Sequence, residues 1–179
     1  MKSRLLALVL GGLVMSSTGA AGQTISAGLR GGVTFPVGSY GDSGSTLSTG
    51  WNIGASGRVD FGSSRFGVQL DVGYSGNQIT GAPFGEISDW QGGLGLLFRI
   101  LPITSPIRPY VLVGGGIDYW QDNSGNGLVP AVYTSGGVDF RLDPIEPYVE
   151  VQYRNVLTPG PNLATVQLMF GVRYILGYR

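Results

Sequence analysis

The chain has no cysteine and no histidine, and its only lysine is Lys2. The missing cysteine excludes disulfides and thiol chemistry, and the missing histidine removes the commonest general base and metal ligand. A Ser-His-Asp triad is impossible for the same reason. We therefore expect no enzymatic activity, no cofactor and no metal site. The lack of a basic surface also speaks against a nucleic-acid partner.

The first 22 residues have the pattern of a secretory signal peptide. Lys2 and Arg4 give a positive start, an apolar run follows over residues 5–14, and small residues precede a candidate cleavage position at Ala21. The apolar run is too short to span a bilayer comfortably, and no later segment is long and apolar enough for a transmembrane helix. We therefore divide the chain into a signal peptide, 1–22, and one domain, 23–179, which could cross a membrane only as strands.

The domain alternates apolar residues with small or polar ones, most regularly from Trp51 to Phe61. A period of two predicts β-strands with two different faces. The 32 glycines fit such strands where they bend or approach another backbone closely. The predicted strands are 24–37, 50–62, 65–76, 89–101, 107–120, 128–142, 147–157 and 165–177.

The connections between the predicted strands alternate in length. The longer ones are 38–49, 77–88, 121–127 and 158–164, and the shorter ones are 63–64, 102–106 and 143–146. This pattern is typical of an up-and-down meander with long loops at one end and tight turns at the other. We therefore predict an all-β fold, an eight-stranded antiparallel up-and-down transmembrane β-barrel.

Aromatic residues concentrate at the ends of the predicted strands. Such segregation predicts two aromatic girdles at the two membrane interfaces, whereas the general preference of aromatics for strands does not. Tyr110 and Tyr148 fall beside short turns, where they also fit a girdle. The predicted girdle residues are Trp51, Phe61, Phe66, Tyr74, Trp90, Phe98, Tyr119, Phe140, Tyr153 and Tyr174.

Most charges after the signal peptide fall on the polar strand faces. An eight-stranded barrel has an interior just wide enough to be filled by side chains, and buried charges there must be paired or solvated. We therefore predict a structural network of ion pairs in the lumen, with its pairing left open. Its members are Arg30, Arg58, Asp60, Asp71, Arg99, Asp118, Asp139, Arg141, Glu150, Arg154 and Arg173.

The whole domain resembles the small outer-membrane β-barrels of Gram-negative bacteria, such as the OmpA transmembrane domain and OmpX. The most specific match is the last strand, where Gly171, Tyr174, Leu176 and Tyr178 follow the spacing of the family's C-terminal assembly signal, although Arg179 follows the final aromatic. The resemblance implies outer-membrane lipids as surroundings, periplasmic chaperones, and insertion by the outer-membrane assembly machinery. It does not imply one activity, because the fold hosts several.

Our leading prediction is an integral outer-membrane barrel of the cell envelope, structural or surface-interacting, with a filled lumen. One alternative is a narrow porin-like channel for small solutes, and another is a soluble secreted barrel that binds an apolar ligand. An unknown surface partner would bind the loops 38–49, 77–88, 121–127 and 158–164.

Overall fold

A single antiparallel sheet, closed into a barrel, forms the fold. The computed structural model describes residues 22–37, 46–62, 64–80, 85–102, 104–122, 125–157 and 163–178, so most of the predicted signal peptide lies outside the described residues. None of these residues forms a helix long and apolar enough to cross a membrane. Eight long strands build the wall: β1 (Thr24–Val37), β2 (Gly50–Asp60), β3 (Phe66–Thr80), β4 (Gly85–Arg99), β5 (Ile107–Asp122), β6 (Gly125–Phe140), β7 (Ile145–Val156) and β8 (Leu163–Tyr178).

Each strand pairs with the next one along the chain, and β1 pairs with β8 to close the barrel. The closing ladder runs from Thr24↔Tyr178 to Val37↔Ala164. This confirms the predicted up-and-down barrel of eight strands. The end that holds Thr24 and Tyr178 also holds the connections 61–65, 100–106 and 141–144, and we name it the turn end. The opposite end is named the loop end.

Two of the predicted long loops are mostly strand. β3 continues to Thr80 and β4 begins at Gly85, while β5 continues to Asp122 and β6 begins at Gly125. The predicted alternation of long and short connections is therefore wrong at these two hairpins. Polar residues such as Asn77 and Gln121 led to the prediction of loops from the sequence. Paired strands that extend beyond the lipid, however, can have polar side chains on both faces. The segment 38–49 also contains a two-residue strand, Thr46–Leu47, which pairs with the end of β3.

Polar and apolar side chains are distributed between the two faces of the wall in the opposite way from a soluble protein. In β2, Asn52, Ser56, Arg58 and Asp60 are buried, whereas Trp51 is 49% exposed. The same alternation holds around the barrel, with large apolar side chains outside and charged ones inside. Because arginine and aspartate are almost never fully buried without partners, the outer face is built for an apolar surrounding. This arrangement speaks against a soluble barrel with an apolar interior.

All ten predicted girdle residues lie outside the barrel or beside its rims, and several touch one another. At the loop end, the Tyr74 ring lies 5.6 Å from Trp51 and 5.0 Å from Trp90 between centroids, and at the turn end Phe66 and Phe98 are 5.3 Å apart. Tyr110 and Tyr148 differ from the expectation. They are buried in the lumen, because each lies two positions from an inward-facing charged residue and therefore points to the same face of its strand.

Three lumen tyrosines lie against glycines on the neighbouring strand. The register pairs Tyr110 with Gly137, Tyr133 with Gly114, and Tyr148 with Gly171. A Cβ at Gly171 would lie 2.4 Å from the Tyr148 ring, and one at Gly137 would lie 2.6 Å from the Tyr110 ring. Part of the high glycine content is therefore steric, because each glycine makes space for a ring across the ladder.

We expect Gly171→Val to destabilise the barrel by about 1–3 kcal/mol, since the added side chain must displace a packed ring. The matched control is Gly57→Val, because a Cβ at Gly57 meets nothing within 4 Å. Urea unfolding of both variants in lipid vesicles, followed by tryptophan fluorescence, measures the difference. Equal stabilities for the two variants would contradict the steric explanation.

Candidate functional site: the charged lumen

Among the residues that the structure describes, six arginines and six carboxylates of the lumen are each less than 9% exposed. All the predicted network residues except Arg141 are among them, together with Arg108 and Glu146. The formal charges of these twelve residues therefore balance. This balance matters because an unpaired charge in a low-dielectric interior costs far more than a paired one. These twelve residues are Arg30, Arg58, Arg99, Arg108, Arg154, Arg173, Asp60, Asp71, Asp118, Asp139, Glu146 and Glu150.

Asp139, near the turn end of β6, binds three guanidinium groups at once. Its carboxylate oxygens accept from Nη1 of Arg58 at 2.5 Å, of Arg99 at 2.8 Å and of Arg173 at 2.8 Å. These arginines come from β2, β4 and β8, so the cluster joins every second strand of the wall. Since β2 lies opposite β6 in the strand order, the Arg58–Asp139 pair crosses the lumen.

Further side chains hold the three arginines in place. Arg99 also pairs with Asp60 at 2.7 Å, and Arg58 donates to Gln69 Oε1 at 2.6 Å through Nη2 and at 3.0 Å through Nε. The guanidinium of Arg58 lies 4.4 Å from the ring centroid of Tyr110, and that of Arg173 lies 3.6 Å from that of Tyr148. We name Arg58, Arg99, Arg173, Asp60 and Asp139 the turn-side closure, because together they fill the lumen at this level.

A second group of polar side chains fills the lumen nearer the loop end. Arg154 donates through Nε to both oxygens of Asp118, at 3.0 and 2.9 Å. Gln167 donates through Nε2 to Gln91 Oε1 at 3.1 Å, and this bond crosses the lumen because β8 lies opposite β4. We name these four residues the loop-side closure. The two closures together explain how an eight-stranded barrel of this composition is filled by side chains.

The comparisons with known proteins agree with this architecture. The family model described as the outer membrane protein beta-barrel domain matches residues 5–176. The chain belongs to this family. Its members cross the outer membrane as strands, so the exposed apolar face of this barrel domain meets lipid and the protein resides in the outer membrane.

Two solved structures share the fold of this barrel domain. Neisserial surface protein A is 15% identical, with a TM-score of 0.60 over 87% of this chain and 98% of that chain. The outer membrane protein Ail of Yersinia pestis, in a phospholipid nanodisc, is 16% identical, with a TM-score of 0.51 over 84% of this chain and 99% of that one. No curated protein matches the chain in sequence.

Arg141 does not lie on the lumen wall as predicted. It follows the last residue of β6, where it forms an ion pair at 3.0 Å with Asp143, whose side chain is 56% exposed. The parity of the strand suggested an inward position, but the strand ends at Phe140 and the chain turns there. Arg141 thus belongs to the turn end of the barrel domain.

Arg108 and Glu146 were missed from the sequence, although they form a fully buried ion pair. They occupy the same place in a short internal repeat, Ile-Arg-Pro-Tyr-Val at 107–111 and Ile-Glu-Pro-Tyr-Val at 145–149. The repeat marks the start of β5 and of β7, and its second residue has the same inward parity as its tyrosine. The two copies of the repeat differ only at this position, where one has a positive residue and the other a negative one. This difference could have predicted the ion pair from the sequence.

The predicted assembly signal lies in β8. Gly171 faces the lumen against Tyr148, while Tyr174 and Leu176 are 54% and 61% exposed on the outer face. The backbone of Tyr178 ends the strand opposite Thr24, and its side chain lies outside the described residues. The outward aromatic and apolar positions of β8 are thus available to another protein or to lipid.

We expect Asp139→Asn to destabilise the barrel by about 3–5 kcal/mol, because it leaves three buried guanidinium groups with one carboxylate, that of Asp60. The control is Asp143→Asn at the exposed Arg141 pair, where a loss below about 1 kcal/mol is expected. Urea unfolding in vesicles measures both. A loss for Asp139→Asn no larger than that of the control would show that the cluster adds little stability.

Proposed function

We propose that this outer-membrane barrel is a non-enzymatic, surface-interacting protein whose contact surface is the loop end. The observation that carries the proposal is the length of β3 and β4. Tyr74 and Trp90 face each other at the loop-side girdle, and the two strands continue beyond them to Thr80 and from Gly85. At about 3.3 Å per residue, this β3–β4 ribbon extends roughly 20 Å past the girdle.

The ribbon offers backbone groups for contact with another strand. Pairing between β4 and β5 stops at Ser88↔Gln121, so no strand among the described residues pairs with residues 85–87 on that side. A similar edge occurs in β6, where pairing with β7 begins only at Ala131↔Val156. Open strand edges can accept an added strand from a partner. Pro130, which has no N–H to offer, ends the second edge, and its carbonyl already accepts from Leu157.

The absence of an enzymatic role rests on the chemistry of the side chains. The sequence contains no histidine or cysteine. Of the two acids in the lumen near the loop end, Asp118 has both oxygens engaged by Arg154, and Asp89 accepts from Gln91 Nε2 at 2.8 Å. A carboxylate whose two oxygens both accept from one guanidinium presents neither oxygen to a substrate.

Biogenesis follows from the same proposal. Residues 1–22 act as the signal peptide, and the remaining chain crosses the periplasm with chaperones to reach the assembly machinery. Gly171, Tyr174, Leu176 and Tyr178 form the assembly signal that this machinery reads. The outward position of Tyr174 and Leu176 supports this role, since a strand presented for recognition needs free side chains.

Shortening the ribbon should remove surface contact and leave the barrel intact. Because Gly76 pairs directly with Ser88, residues 77–87 can be replaced by a two-residue Asn-Gly turn. In cells that lack the native gene, this variant should keep outer-membrane integrity and lose adhesion to surfaces or to other cells. Ser124→Gly, between β5 and β6 in the sequence, is the control and should adhere like the native chain. Unchanged adhesion of the shortened variant would refute the proposal.

The filled lumen should prevent steady ion conduction. Purified protein in planar bilayers is expected to show no large, stable openings, because two sets of side chains cross the lumen. The measurement is single-channel conductance at neutral pH, with the heat-modifiable gel shift as the control for folding. Large, stable openings by the folded protein would favour the narrow channel instead.

A further inference from the structure

Four inward-facing residues form one row across the wall at the loop end. The register pairs Asn52 of β2 with Ser75 of β3, Ser75 with Asp89 of β4, and Asp89 with Trp120 of β5. Asn52 and Ser75 are buried, and Asp89 and Trp120 are partly exposed. We name these four residues the mouth row. On β4 and β5 the row lies two residues nearer the loop end than the loop-side closure, so a ligand that arrives at the loop end meets the row first.

Two oxygen atoms of the mouth row are buried and accept no hydrogen bond from the described residues. They are Asp89 Oδ1 and Asn52 Oδ1. Asn52 is 7% exposed, and its Nδ2 donates to Thr34 Oγ1 of β1 at 3.2 Å. Because the two polar atoms of an amide diverge from one carbon, Oδ1 is directed away from β1, toward β3 and β4. Buried polar atoms nearly always have a partner, so both oxygens lack a donor.

The donors near these oxygens are engaged elsewhere. Gln91 Nε2 donates to the other oxygen of Asp89, Oδ2, at 2.8 Å and to Ser75 Oγ at 3.3 Å. Arg154 is paired with Asp118. The Nε1 of Trp120 lies on the β6 side of its ring, 3.0 Å from the position of a Cβ at Gly127, whereas Asp89 is on β4. The mouth row therefore lacks both a donor and a positive charge.

The sequence around the loop end contains acids and no base. Residues 38–49, 77–88, 121–127 and 157–164 include Asp42, Glu86 and Asp122 and no lysine or arginine. In the barrel domain, the arginines outside the lumen are those at 65, 141 and 179, which all belong to the turn end of the sequence order. The charge of the loop end therefore attracts a cationic partner and repels an anionic one.

The free atoms of the mouth row match an ammonium group in number and charge. An ammonium has three donors on one atom, and Asp89 Oδ1, Asn52 Oδ1 and Ser75 Oγ are three acceptors. In a barrel of eight strands, side chains on β2 and β4 point inward at roughly 90° to each other, so their ends converge. The partly exposed ring of Trp120 adds a surface that attracts cations.

Other ligands fit the mouth row less well. A guanidinium pairs best with both oxygens of a carboxylate, but Asp89 Oδ2 is held by Gln91. Calcium and magnesium prefer several carboxylates, and the described residues contain no group of three acidic, histidine or cysteine side chains placed to bind a metal. Water would donate to the oxygens but would leave the charge of Asp89 without compensation.

We propose that the loop end binds a basic polypeptide segment and that the mouth row receives one of its lysine side chains. The ammonium group donates to Asp89, Asn52 and Ser75, and the acidic loop end attracts the other cations of the segment. A single ammonium on an accessible carboxylate binds weakly, so the occupant is a polypeptide with several cations and not a small amine. This inference rests on the proposed surface-interacting function and specifies the chemistry of the partner.

Binding of a fluorescein-labelled octalysine peptide tests the inference. The protein is placed in phosphatidylcholine nanodiscs at low ionic strength, and fluorescence anisotropy measures the dissociation constant, with empty nanodiscs as the blank. Asp89→Asn should weaken binding roughly ten- to a hundredfold, because it removes a charged acceptor. Asp122→Asn removes an acid of the loop end outside the row and should weaken binding by about threefold or less. Equal losses in the two variants would show that only the overall charge matters and would overturn the site.

Two further ligands test the chemical assignment. An octapeptide of trimethyl-lysine keeps the charges but has no N–H to donate, and it should bind about tenfold more weakly than octalysine. Equal or tighter binding of the methylated peptide would overturn the ammonium hydrogen bonds. A small amine, 1,5-diaminopentane, should not displace octalysine at equal concentration. Displacement at equal concentration would overturn the polypeptide as the occupant.

The role of the indole is tested by Trp120→Leu, which should weaken octalysine binding about threefold, while Trp120→Phe restores most of it. The same affinity in all three proteins would remove Trp120 from the site. The heat-modifiable gel shift establishes that each variant is folded before its affinity is counted.

Failure of this inference can be distinguished from failure of the proposed function. The ribbon variant that lacks residues 77–87 retains all four residues of the mouth row. If octalysine does not bind the native barrel but shortening the ribbon abolishes adhesion, the mouth row is refuted and the surface-interacting function stands. If octalysine binds through Asp89 but the shortened variant adheres normally, the ribbon is refuted and the lysine site stands.

Discussion

The structure depends on the neutralisation of arginines inside a wall that faces lipid. The outer face cannot carry charge, so nearly every charged residue of the strands is directed to the lumen. Asp139 is the centre of this arrangement, because three guanidinium groups from β2, β4 and β8 share its carboxylate. Without this shared carboxylate, Arg58 and Arg173 would be buried with no anionic partner, at a desolvation cost that no apolar contact could offset.

The packing of the lumen follows from the charge pattern. A guanidinium needs a flat neighbour as well as an anion, and Tyr110 and Tyr148 provide one for Arg58 and Arg173. Each tyrosine in turn needs space across the ladder, which glycine provides. Arginine, tyrosine and glycine thus form a repeated unit of three residues. A substitution at any one of the three therefore alters the packing of the other two.

Much of the architecture could be predicted from the sequence because it follows from a period of two. The alternation in Trp51–Phe61 placed Arg58 and Asp60 inside and both aromatics outside, as the structure has them. The pairing could not be predicted, because Arg58 and Asp139 lie on opposite strands and are 81 residues apart. Tyr110 was assigned to a girdle because it lies beside a turn, although its position along the strand places it on the inward face. The ends of β3 and β4 were missed because polar residues outside lipid carry no periodic signal.

The Asp139 cluster also has a consequence for the order of assembly. Its members lie on four different strands, and Arg173 is on the last of them. A partly assembled sheet therefore exposes arginines that have no common anion, and it must keep them hydrated. Only the arrival of β8 completes both the hydrogen-bonded ladder and the neutral interior. Closure of the barrel is thus a cooperative event, in which dehydration of the lumen and the pairing of the first and last strands take place together.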